Sequence, residues 1–143
     1  MADNTGKAWM AIGETDDSAA QIEFFTAAAA VTKGDPVYLS ADEQVSPAAA
    51  AQNCIGIAVK DTASGAPCPV LTRGRVKVKA GGSVTRGTAV YGADASKRVL
   101  ALADQAVNEG GSANYTIYYN RKLGYALDAA SAADDLIFIV VEK

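Results

Sequence analysis

One string of residues occurs twice in this chain and restricts its fold more than any bulk property. Val31-Thr32-Lys33-Gly34-Asp35-Pro36-Val37-Tyr38 returns as Val84-Thr85-Arg86-Gly87-Thr88-Ala89-Val90-Tyr91, an offset of 84 − 31 = 53. In both copies a glycine precedes a Val-Tyr run. Glycine there suits a turn of positive φ or a close backbone approach, and Val-Tyr suits a pleated strand. An Ala-Asp pair follows each copy, Ala41-Asp42 and Ala93-Asp94. A second element repeats in the same order, Ile55-Gly56-Ile57-Ala58-Val59 and Leu123-Gly124-Tyr125-Ala126-Leu127, at an offset of 123 − 55 = 68. Two matches in one order point to a duplicated strand unit with halves over about residues 31–79 and 84–142. The offset widens by 68 − 53 = 15 residues, which places an insertion between about Ala101 and Lys122.

The rest of the pattern is also β. Short runs of Val, Ile, Thr, Tyr and Phe alternate with Gly, Pro, Asp and Ser, as in an all-β domain. Strands are expected over Gln21–Phe25, Pro36–Leu39, Ile55–Lys60, Val70–Lys79, Ala89–Tyr91, Val99–Leu102, Tyr115–Tyr119, Leu123–Asp128 and Leu136–Glu142. Little helix is expected. Ser46-Pro47 before four alanines reads as a capped start of one or two turns, and Ala27–Ala30 as a short turn or a strand end. Residues 1–20 mix Gly, Asp, Ser and Thr without a period and read as an N-terminal arm. Residues 21–143 then form one β domain, a length that buries roughly two-thirds of its unfolded surface. Half the residues are hydrophobic, but many are alanine and only 7% are aromatic, so association with other chains would add to a thin core.

Chemistry of the enzymatic kind has little to work with. The chain has no histidine, which removes the commonest general base and metal ligand. Cys54 and Cys68 form no zinc pattern, and a strand pair turning at Thr62–Gly65 puts them out of register for a disulfide, so both read as buried thiols. Gly81-Gly82-Ser83 and Gly110-Gly111-Ser112 precede no helix that could hold a phosphate and read as turns. Adjacent carboxylates such as Asp16-Asp17 and Asp134-Asp135 would point to opposite faces of a strand. The expectation is a non-enzymatic protein with no cofactor, no metal and no small-molecule substrate. A net charge of −3 gives no footprint for nucleic acid, and no apolar run reaches the ~20 residues needed to cross a bilayer. The N-terminus lacks a secretory pattern, which predicts synthesis in a cytosol.

Partner binding is better supplied. Trp9 and Met10 stand alone in the polar arm; Trp9 reads either as a docking anchor or as a cap on the chain's own core. Arg73, Arg75, Lys77 and Lys79 alternate, so a strand would put all four on one face. That stripe suits an acidic partner surface, or else a solvated face that blocks edge-to-edge pairing. Tyr115 and Tyr119 share a face of the inserted segment, where they suit a subunit interface or packing over the domain itself.

The run Thr-Lys-Gly-Asp-Pro-Val-Tyr-Leu, an alanine-rich turn, Ile-Gly-Ile-Ala-Val-Lys-Asp-Thr-Ala-Ser-Gly and a Val-rich strand resembles phage head decoration (cement) proteins of the lambda type. The resemblance covers about residues 31–79 and is echoed over 84–142. It implies a small barrel of the β-clip or β-tulip type with an extended N-terminal arm. It also implies a homotrimer on the exterior of a virion, bound to the major capsid protein and stabilising contacts between its subunits. A fibre or spike domain with a glycan-binding role is the second reading, and a small hydrolase or lyase on the same scaffold the third.

Overall fold

The computed structural model describes residues 2–103 and 121–143. Those residues contain nine strands and no α-helix: β1 (Gln21–Ala27), β2 (Pro36–Ala41), β3 (Gln44–Pro47), β4 (Cys54–Ala58), β5 (Pro67–Lys79), β6 (Ala89–Gly92), β7 (Val99–Ala101), β8 (Lys122–Ala126) and β9 (Leu136–Glu142). The all-β class is therefore correct. The expected strand over Tyr115–Tyr119 lies outside the described residues. The expected helix start does not form. Ser46 and Pro47 belong to β3, and the Ala48 amide donates to the Pro36 carbonyl at 2.8 Å. Alanine propensity is worth tenths of a kcal/mol per residue, so burying Val45 and Ala48 in the core decides the conformation.

Five strands close into a small barrel. The order is β1-β3-β2-β4-β5, and β1 returns to β5 by antiparallel pairing from Ile22 opposite Leu71 to Thr26 opposite Pro67. The lumen is filled by Ala27, Val31, Val37, Val45, Cys68 and Val70, small or β-branched side chains that suit so narrow a ring. Abundant alanine and valine thus match the geometry.

β5 then runs on. From Arg73 to Lys79 it pairs antiparallel with β9, and the sheet continues through β8 and β6 to β7. A parallel bridge from Val99 back to Ala80, just past the end of β5, closes this second ring. Val76, Val78, Val90, Leu123, Ile137 and Ile139 fill it, in a cluster that extends to Ile57 and Leu71 of the first ring.

The two rings share their main pairings. Val37 stands opposite Gly56, and Val90 opposite Gly124, each just before a register slip. Gly34 donates to the Ala58 carbonyl at 2.7 Å, and Gly87 to that of Ala126 at 2.8 Å; both have φ near +90°. Val31 bridges Thr62 as Val84 bridges Ala130. The correspondence extends to strands with no shared sequence. The pair Ala27–Val45 matches Ala80–Val99, and Phe24 opposite Pro69 matches Lys77 opposite Phe138. Hence β1 is the counterpart of the second half of β5. That strand ends the first copy of the unit and begins the second.

Candidate interaction surface

Residues 2–20, expected as an arm, lie instead against the second ring. At one end Leu136 donates to the Ala2 carbonyl at 2.7 Å, and Asn4 donates to the Leu136 carbonyl at 2.9 Å. At the other, Gly13 donates to the Lys77 carbonyl at 2.7 Å, and Lys77 donates to that of Glu14 at 3.1 Å. The segment thus crosses the outer face of the β5–β9 pair as a strap, bonded to Leu136 of β9 on one side and to Lys77 of β5 on the other.

Lys77 anchors it. The side chain is fully buried, and its Nζ donates to the Lys7 carbonyl at 2.9 Å, the Met10 carbonyl at 2.8 Å and the Asp3 carboxylate. Three donors meet three acceptors, so the ammonium is fully satisfied. Arg75 donates to both oxygens of Asp16 at 2.7 Å, and Lys7 donates to the same carboxylate. The Arg75 guanidinium also stacks over Phe138, 5.1 Å from the ring centroid.

The strap's carboxylates are held in their charged form. Hydrogen bonds from Arg75, then Lys7, lower the Asp16 pKa from 3.8 to about 2. Burial raises that of Asp3, but bonds from Lys77 and Thr5 outweigh it and the net shift is down. A carboxylate whose folded pKa is depressed contributes stability above its unfolded pKa, and loses it as pH falls through the folded value. The strap should therefore loosen between about pH 4 and pH 2. In NMR spectra the Asn4 and Gly13 amides should move toward random-coil positions across that window. Amides that stay in place down to pH 2 would show that these charges do not hold the strap.

The sequence-predicted residues divide accordingly. Arg75 and Lys77 share the outer face of β5, but the acidic surface they meet belongs to their own chain. Lys77 and Met10 are buried, so they contribute to internal packing and offer no area to a partner. Arg73 is exposed and Lys79 half-buried. Trp9 sits where the strap crosses, with 77% of its surface exposed. Tyr115 and Tyr119 lie outside the described residues. Sequence reasoning missed the acidic side of this contact; Asp3 and Asp16 in the first sixteen residues, read against the basic strand, were the available signal.

It also missed a second face. On the first ring, the outer face of the β1–β5 pair corresponds to the strapped one, and no described segment of the chain crosses it. Ile22 replaces Arg75 and Phe24 replaces Lys77, and both project outward, Phe24 with 67% exposure. Beside Phe24 lies a groove of about 400 Å³ lined by Lys60, Asp61, Thr62, Ala63, Ala66, Pro67 and Pro69. Among the described residues no group of three or more Cys, Asp and Glu is placed to hold a metal ion. Cys54 and Cys68 are buried free thiols, and burial pushes that of Cys54 up to about 12, far from a reactive thiolate.

Among curated proteins none matches the chain. The solved structure of the N base of the head fiber gp8.5 of bacteriophage phi29 matches over 86% of this chain and 94% of that one, with a TM-score of 0.55. Sequence identity is 18%, so this likeness is one of fold. The family model described as phage cement protein matches residues 18–142, and on that extent the chain belongs to the phage cement protein family.

Proposed function

We propose that this protein decorates the exterior of a phage head, binding the major capsid protein and stabilising contacts between neighbouring capsid subunits. Family membership makes it a capsid-associated structural protein. The observation that carries the finer reading is the inequality of two otherwise matching rings. One has its outer face covered by the chain's own strap, while the other displays Ile22 and Phe24, with Trp9 a third exposed anchor. Large exposed apolar side chains on a small β protein mark interaction surface. Symmetric repetition on a shell would multiply modest contacts, and self-association into trimers would add avidity.

The test is to mix the protein with expanded, undecorated heads of its phage, sediment them, and challenge the pellets with heat and low salt. Decoration predicts co-sedimentation to saturation at many copies per head and a raised disruption temperature. Heads that neither retain the protein nor gain stability would overturn the reading. A second reading is favoured by the phi29 likeness, whose solved structure is the base of a head fiber. A fibre base would bind heads at saturation but leave their disruption temperature unchanged.

A further inference from the structure

The second ring shows what the outer face of a barrel of this design accepts: a segment, here rich in turns, bonded at both edges, with the Asp3 carboxylate meeting Lys77. We infer that the groove beside Phe24 on the first ring is the capsid-binding site, and that it takes an extended segment of the capsid surface carrying an apolar side chain over Phe24. The inference rests on the decoration reading and deepens it.

Three observations carry it. The first is positional. Phe24, Ala66, Pro67 and Pro69 are the counterparts of Lys77, Asp135, Leu136 and Phe138, the residues against which the strap is laid. The groove is thus the strap's own site, repeated. The second is the edge of β1. Lys77 exchanges backbone bonds with Gly13 and Glu14, whereas among the described residues no segment pairs with that edge of β1 at Phe24. An open edge flanked by two exposed apolar side chains suits an added strand.

The third observation selects the occupant. The strap's Asp3 meets the Lys77 ammonium, and its Asn4 donates to the Asp135 carboxylate at 3.3 Å. In the first ring those two positions are Phe24 and Ala66, so the strap's two charged partners have no counterpart at them; the groove's own charges, Lys60 and Asp61, lie at other positions. The strap of a second copy would find, at the position of the Lys77 ammonium that pairs with Asp3, an apolar phenyl ring instead. Leu136 donates a backbone bond to Ala2, but its counterpart Pro67 has no N–H to give. Binding on that side therefore depends more on apolar contact than on backbone pairing. A mainly apolar segment of a different protein fits these changes at Phe24, Ala66 and Pro67.

Phe24→Glu tests the site, because the side chain is exposed and its loss removes no core contact. Ala63→Arg, at an exposed position on the groove's rim, provides an independent block. Each variant's melting temperature is measured beside the parent's, and binding to expanded heads is measured by co-sedimentation. The expected result is binding weakened about tenfold or more in both variants, with melting temperatures unchanged. Parent-like binding by both would overturn the groove while leaving the decoration reading in place; failure of the parent protein itself to bind would overturn both. If Phe24→Glu instead breaks up a self-associated form in sedimentation velocity and binds heads as before, the occupant is a second copy, and the inference is wrong.

Discussion

Lys77→Ala is expected to release the strap and to lower stability by about 2–3 kcal/mol, because a buried ammonium and its hydrogen bonds to the strap are lost. The reason is local arithmetic of donors and acceptors. The Lys77 ammonium satisfies the carboxylate of Asp3 and the carbonyls of Lys7 and Met10, and it is fully buried. Truncation leaves the Lys7 and Met10 carbonyls without their donor, while Asp3, with 21% of its side chain exposed, is left to solvent. For a chain of this size such a loss lowers the melting temperature by on the order of 10 °C. Lys77→Met keeps the stem's packing and removes the charge; combined with Asp3→Ala it should regain part of the loss, because fewer acceptors remain unpaired. Urea unfolding of the three variants checks the sequence of effects. A Lys77→Ala protein within about 1 kcal/mol of the parent would mean that the strap contributes little to the fold.

The second large effect concerns the glycines opposite the duplicated valines. A Cβ on Gly124 would land on the carbonyl oxygen of Val140, and one on Gly56 on that of Leu71. Both obstacles are backbone atoms of the adjoining strand, held in place by the ladder, so neither can swing aside. Gly124→Ala and Gly56→Ala should each cost about 3 kcal/mol or more, at the upper end of overpacking penalties. Gly82→Ala, where a Cβ meets nothing within 4 Å, serves as control and should stay within about 0.5 kcal/mol. Denaturant midpoints provide the readout. Mild effects at both glycines would contradict the close strand approach on which the matching of the two rings depends.

How much was legible in the sequence follows from what each position faces. Gly34 and Gly87, with the valines three residues after them, repeat because turn geometry and ring lumen make the same demand twice. Strands β2, β4, β6 and β8 were therefore visible as a duplication. The pairing of β1 with the second half of β5 was not. Ile22-Glu23-Phe24-Phe25 and Arg75-Val76-Lys77-Val78 occupy equivalent positions, yet their outward residues face different surroundings and share no chemistry. The short β3 was hidden by the alanines that follow it. In the interaction surface, the alternation of Arg73, Arg75, Lys77 and Lys79 did predict a common face. Their partners could not be read from that strand alone, because the acids that meet Arg75 and Lys77 lie 59 and 74 positions earlier.

The two matching rings differ in what lies on their outer faces. One ring has the outer face of its β5–β9 pair covered by its own chain; on the proposed reading, the other meets the capsid. The most direct measurement is a cryo-electron microscopy reconstruction of heads saturated with the protein, at a resolution that traces strands. The predicted result is the first ring turned toward the shell, with density from the capsid crossing the outer face of β1 beside Phe24 while residues 2–16 remain on the second ring. A reconstruction in which the strapped ring meets the shell, and the Phe24 groove faces solvent, would contradict it.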